Sequence, residues 1–253
     1  MTIAVISAKG GVGKTTVTAN VAASLCKDFG RRVLAIDGNI TTPTLGIHMG
    51  ILSQEKTLDD VLYGNLKMQQ AVYIHPSGLH VIPASLAPNI DYPDPQRLKE
   101  KIQEVKDAYD VIIIDGAAGI GREVISVIKA ADDIVVVTNP DMAAIVAAIK
   151  AIKIARSLEA SITGLVVNRV TGGRHEPSMS DIEELCETRV IAAIPYDRSI
   201  LQSVKSMTPV VISQPDSRAG VSFRRLAGYL VGEDIKIEES LASKIRRLIP
   251  WTG

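Results

Sequence analysis

The chain has little cysteine. Cys26 and Cys186 are its only two, they lie far apart, and no C-x-x-C pair occurs. Thiolate zinc and iron–sulfur sites need several ligands at short spacing, so the sequence argues against one built within a single chain. Two isolated thiols suit a reducing compartment, and a single disulfide between them stays open at this level. A surplus of either charge is also missing: Lys and Arg total 28, Asp and Glu total 28, and the formal net charge is zero. That gives no support to a chain-wide nucleic-acid footprint and leaves only a local basic face. Long apolar runs are absent too. The longest, Met142–Ile149, falls far short of the roughly 20 residues that span a bilayer. The N-terminus enters an apolar strand pattern at once, with no charged segment before an apolar one, so neither secretion nor a transmembrane segment is expected. His48, His75, His80 and His175 are dispersed. They show no ligand spacing and read as structural or surface groups. No internal repeat or low-complexity tract is visible.

What is present is globular material. The 253 residues are 46% apolar and 22% charged, enough for a sizeable core in one large domain or two small ones. Short β-branched apolar runs recur at Thr2–Ser7, Arg32–Asp37, Leu79–Pro83, Val111–Asp115, Ile134–Thr138, Ile162–Asn168 and Val190–Ile194. Stretches of helical periodicity lie between most of them, as in β-α-β units. The runs are continuous rather than alternating, which fits a parallel sheet buried on both faces. Asp94-Pro95 reads as an N-cap followed by Pro at the first helical position. Asp141 opens a long helix from Met142 to Leu158, with Lys150, Lys153 and Arg156 along one solvated face. The expected fold is α/β, with a mostly parallel central sheet, helices on both faces and a C-terminal amphipathic helix. Residues 1–232 form the main domain; 233–253 form a linker and the terminal helix.

One segment carries chemistry. Ala8-Lys9-Gly10-Gly11-Val12-Gly13-Lys14-Thr15-Thr16 follows the first strand and opens the first helix. Glycines let the backbone curl so that several N–H groups face one anion, and the helix N-terminus behind them adds positive potential. In such a loop Lys14 bridges the outer phosphates and the Thr15 hydroxyl coordinates Mg²⁺. The strict phosphate-loop form carries Gly where this chain has Ala8.

With Lys9, the segment resembles the deviant Walker A motif, Lys-Gly-Gly-x-Gly-Lys-Thr, of the MinD/ParA family of P-loop ATPases. The resemblance covers nearly the whole chain. It implies a P-loop NTPase fold with ATP and Mg²⁺ as cofactors. It also implies that Lys9 reaches across a homodimer to stabilise charge on the partner's nucleotide. Asp37 matches the first switch acid and Asp115 the Walker B acid; with Thr15 they form the implied metal set. Asp115-Gly-Ala-Ala-Gly-Ile is similar to Asp-Ser-Pro-Ala-Gly-Ile of MinD proteins, and Thr138-Asn139-Pro140 is similar to their Thr-Asn-Pro. Asn168-Arg169 matches the residues that read adenine, and Ile194-Pro195-Tyr196-Asp197 the loop closing over the base. Taken alone, Asn168 and Asp197 also suit turn and cap roles.

The chain departs from the pattern at the hydrolytic position. MinD proteins usually carry Asp-x-Asp in switch I, where this chain reads Asp37-Gly38-Asn39. An Asn orients water but does not accept its proton. Lys9, Lys14 and Asn39 are therefore the candidate catalytic residues, with slow or absent turnover expected, unless another acid supplies the missing group.

At the far end, Ile237, Leu241, Ile245, Leu248 and Ile249 fall on one helical face; Lys244, Arg246 and Arg247 lie on or flank the other, and Pro250 and Trp251 follow. A basic amphipathic segment with a Trp suits an interfacial anchor, and its position resembles the MinD membrane-targeting sequence. Packing on its own domain, or on a partner, is the alternative for this segment. The resemblance implies an ATP-dependent homodimer that acts in spatial positioning, of a division site or of polar or flagellar machinery. Such a protein is cytoplasmic and peripheral at the inner face of the cell membrane, bound there through 238–251. A protein regulator or cargo is expected, and no specific nucleic acid. The competing readings are a ParA-type DNA-partitioning ATPase, a metal or cluster maturation ATPase, and a non-hydrolysing binding module.

Overall fold

The computed structural model describes residues 1–87 and 94–234. The expected terminal helix at 238–251 lies outside the described residues. Among the described residues eight strands form one sheet: β1 (Thr2–Ser7), β2 (Val33–Asp37), β3 (Tyr73–Ile74), β4 (His80–Ile82), β5 (Val111–Ala118), β6 (Asp133–Thr138), β7 (Ser161–Val170) and β8 (Val190–Pro195). Their order is β3-β4-β2-β5-β1-β6-β7-β8. Every pairing is parallel except β3 with β4. The helices are α1 (Lys14–Lys27), α2 (Leu45–His48), α3 (Leu58–Leu62), α4 (Pro95–Gln103), α5 (Arg122–Ala130), α6 (Met142–Ser157), α7 (Met179–Cys186), α8 (Arg198–Lys205), α9 (Val210–Ser213) and α10 (Arg218–Val231).

The apolar runs are continuous because successive side chains enter two different cores. Ile3, Val5, Val33, Ala35 and Ile113 face α1, α9 and α10. Ala4, Ile6, Leu34, Ile36 and Ile114 face α3 to α7. The result is a three-layer α/β/α domain. Cys26 packs against the first core and Cys186 lies in the second. Both thiols are free, which closes the disulfide alternative.

The seven expected strands are all present, and two differences have local causes. β5 runs past Asp115 to Ala118, with a register shift opposite Val5–Ser7. β3 is only two residues long, too short for any periodic pattern to reveal. Helix punctuation follows the sequence. Asp94 accepts from the Gln96 N–H at 2.9 Å, and Asp141 caps α6 by accepting from the Ala144 N–H at 2.8 Å. Among the described residues no helix is long and apolar enough to cross a membrane. β1 lies between β5 and β6, so the connection through α5 carries the chain from one side of β1 to the other. At such a reversal the carboxyl ends of the strands open a crevice, the usual ligand position in this architecture.

Candidate functional site

The glycine loop leaves β1 at Ser7 and enters α1 at Lys14. Gly11 and Gly13 have φ of +76° and +100°, the left-handed region that penalises a side chain. Gly13 is the N-cap of α1 and offers no side-chain acceptor. The first-turn N–H groups are therefore left for an anion rather than for the chain. Val12 anchors the loop from below, its side chain buried in the core. From the end of β7, Asn168 donates its amide to the Val12 carbonyl at 2.8 Å. With its amide turned so that both ends meet complementary partners, Asn139 also donates to this oxygen, at 3.1 Å. The Thr-Asn-Pro and Asn-Arg segments thus meet the loop as braces. A Cβ on Gly13 would collide with the Asn168 amide.

Below the loop lie three buried charges. Asp37 ends β2 opposite Asp115 of β5 in strand register, and both are wholly buried. Asp37 accepts from the Thr44 and Leu45 N–H groups at 3.0 and 2.9 Å, and from the Asn39 N–H at 3.2 Å. Asp115 accepts from the Thr15 and Thr18 hydroxyls at 2.6 and 3.2 Å. Burial pushes both carboxyls above their ordinary range, and the Asp115 charge adds to the rise at Asp37. Lys14 is buried and donates to the Ser7 hydroxyl at 3.2 Å. Burial lowers the pKa of its ammonium, and Asp115 partly restores it. Two adjacent buried carboxylates with one nearby lysine lack sufficient positive charge, because isolated charge in a low-dielectric interior is costly. A divalent cation beside the Thr15 hydroxyl meets that need. Mg²⁺ takes few protein ligands and completes its shell with water and phosphate. No cluster of three or more His, Cys, Asp or Glu suited to a metal occurs among the described residues.

Above the loop opens a cleft of about 700 Å³, within the range of small-molecule sites. Its floor is Gly10, Gly11, Gly13 and Lys14 to Thr16; one wall carries Asn39, Thr42, Thr44 and His48, and the other Asn168, Arg169, Tyr196, Asp197, Ile200, Leu201 and Val204. No motif in the sequence marks Thr42, Thr44, His48, Ile200, Leu201 and Val204 as wall residues, and Tyr196 joins the wall beside the expected Asp197. The signal present in the sequence is the apolar set Ile200, Leu201 and Val204, at i, i+1 and i+4 behind the Asp197 cap. Arg169 reaches the cleft from a left-handed backbone, φ +61°. Asp197 is the N-cap of α8, accepting from the Ser199 N–H at 2.9 Å and the Ala219 N–H at 3.1 Å. Against the upward push of burial, those bonds hold its carboxyl below the usual range. Pro195 ends β8 and is not among the residues lining the cleft.

Two candidates are tied up outside the cleft centre. Lys9 pairs with Asp141 at 3.1 Å, both side chains over 40% exposed. Asn39 closes its own turn: its amide donates to the Thr42 hydroxyl at 3.1 Å and its oxygen accepts from the Thr42 N–H at 3.3 Å.

A glycine loop between a central parallel strand and a helix, over a buried acid pair at a strand-order reversal, defines a P-loop nucleotide-binding domain. Comparison with known proteins agrees. Residues 3–210 match the family model described as the CobQ/CobB/MinD/ParA nucleotide binding domain, and the chain belongs to that family. An uncharacterized ATP-binding protein of Methanocaldococcus jannaschii is 37% identical over 243 residues, covering 96% of this chain and 91% of that protein. The septum site-determining protein MinD of Pyrococcus horikoshii, solved with Mg-ADP, is 30% identical, with a TM-score of 0.83 over 91% of this chain and 96% of its own. A chain of the MinC:MinD cell division protein complex of Aquifex aeolicus is 28% identical, with a TM-score of 0.84 over 94% of this chain and 98% of its own.

Proposed function

We propose that this chain is a MinD-like switch that binds ATP with Mg²⁺, dimerises on doing so, and acts in spatial positioning at a membrane surface. One observation carries the nucleotide reading. Asp37 and Asp115 are wholly buried side by side beneath a helix N-terminus with no side-chain cap. That arrangement calls for a cation and a polyphosphate together. In this reading the loop N–H groups and Lys14 hold the outer phosphates, and Thr15, Asp37 and Asp115 hold Mg²⁺, the two acids partly through water. Asn168 and Arg169, with the Pro195–Asp197 loop, border the base. Bound ATP with Mg²⁺ supplies the transferable phosphoryl group and neutralises the acid pair. Lys9, once released from its pair with Asp141, supplies its ammonium to a second copy's nucleotide, as an arginine finger does. Asn39 orients the attacking water without accepting its proton, so turnover is slow.

Membrane residence follows from the segment 238–251. Basic side chains near an anionic leaflet contribute about 1 kcal/mol each, and short helices are marginal in water. One copy therefore binds weakly, and two copies on a dimer bind far better through effective concentration. A regulator or cargo protein engages the nucleotide-bound dimer, by analogy with the MinC:MinD complex. Size exclusion with Mg-ATP, with Mg-ADP and for Lys9→Ala tests the switch. The expected result is a dimer only for wild type with Mg-ATP; one species throughout refutes it. Co-sedimentation with anionic liposomes, with and without residues 238–253, tests the anchor, and equal binding removes it.

A further inference from the structure

His48 occupies the last position of α2 and lines the wall that faces α8. Its Nδ1 lies 3.0 Å from the Thr44 carbonyl. A carbonyl only accepts, so Nδ1 carries the hydrogen of that bond. This fixes the ring and leaves Nε2 as its unspent polar atom. The lining residues able to carry positive charge are Lys14 on the floor, Arg169 on the far wall and His48 on the near wall. Asp197 is the one acid in the lining, and its oxygens are held by the Ser199 and Ala219 N–H groups. The cleft therefore surrounds its occupant with three cationic or potentially cationic groups. His48 is also close enough for its charge to act on Asp115. Thr44, whose carbonyl holds the ring, also meets the Thr15 hydroxyl through its own hydroxyl at 2.9 Å.

Resting on the nucleotide reading above, we infer that His48 is a further positioning residue for the polyphosphate, donating from Nε2 to an anionic oxygen of the bound nucleotide. A hydrogen bond to an ionised phosphate oxygen is about twice as strong as one between neutral groups, so removing the donor weakens the hold on the nucleotide. The charged groups lining the cleft beside it are Lys14, Arg169 and Asp197, with Asp37 and Asp115 buried beneath the loop.

The test is calorimetric binding of Mg-ATP and Mg-ADP to wild type, His48→Leu, His48→Gln and His48→Lys. Gln keeps a neutral donor and Lys keeps a cationic one. His48→Leu is expected to bind about tenfold more weakly than wild type, the scale of one hydrogen bond to a charged group, with Gln falling between and Lys restoring binding. A wild-type-to-Leu ratio of one, or a loss that neither Gln nor Lys relieves, overturns the inference while leaving the nucleotide reading intact. If wild type takes up neither nucleotide, both are overturned.

Discussion

Replacing Gly13 with Ala separates backbone strain from steric collision, because Gly11 provides an internal control. Both glycines sit at positive φ, +76° and +100°, where a side chain costs about 1–2 kcal/mol. A Cβ on Gly11 meets nothing within 4 Å, so Gly11→Ala should cost only that strain, less a few tenths from restricting the unfolded chain. A Cβ on Gly13 meets the Asn168 amide, whose bond to the Val12 carbonyl must break or stretch. Losing that bond adds about 1 kcal/mol, and more if the oxygen is left short of donors. Gly13→Ala is therefore expected to cost about 2–4 kcal/mol. At roughly 2–4 °C per kcal/mol for a domain of this size, its melting point falls by about 5–15 °C, against a few degrees for Gly11→Ala. Urea denaturation gives the free energies directly. In the Gly13→Ala/Asn168→Ala double variant the two costs should fail to add by about 1 kcal/mol, because the obstacle is gone. Equal costs at the two glycines, or an additive cycle, would refute the idea that Asn168 props the loop.

Three other predictions follow from the same geometry. Asp115→Asn removes one of two raised carboxyls. Folded wild type holds protons there more tightly than the unfolded chain, so its stability from this pair declines as pH rises through the raised values. Without nucleotide, the variant should lose less stability than wild type between pH 5 and pH 8 in melting scans. It should also forfeit Mg-ATP stabilisation, about 2.7 kcal/mol at a hundredfold excess over Kd; full stabilisation by Mg-ATP would contradict the metal role. Asn39→Asp restores a proton acceptor and cannot donate to Thr42, so phosphate release with anionic liposomes should rise about tenfold or more. Brisk, equal rates would reject slow turnover. Asp110, hydrogen-bonded to Arg32, has its carboxyl held down at about 2. Its contribution is present above the ordinary carboxylate range and is lost as pH falls toward 2. Asp110→Asn should flatten that part of the acid-unfolding curve, and an unchanged curve would show the pair contributes nothing.

Local chemistry was readable from residues alone. Glycines at 11 and 13 announce a backbone that needs positive φ. Seven continuous apolar runs announce strands buried on both faces, and Asp94 and Asp141 announce helix starts. Each signal acts over a few neighbouring residues, so it survives without knowledge of the rest. The pairing of Asp37 with Asp115 arises from the register of β2 against β5, two strands separated by most of the first half of the chain. The brace from Asn168 comes from 156 positions away. The clasp of Lys9 by Asp141 spans 132 positions, and His48 reads as an ordinary surface group until α2 is laid beside the cleft. Those encounters depend on strand order and helix packing, which long-range burial sets. The ring of groups around the ligand was therefore decided by tertiary structure, whereas the loop that attracts a phosphate was already determined by its own glycines and lysine.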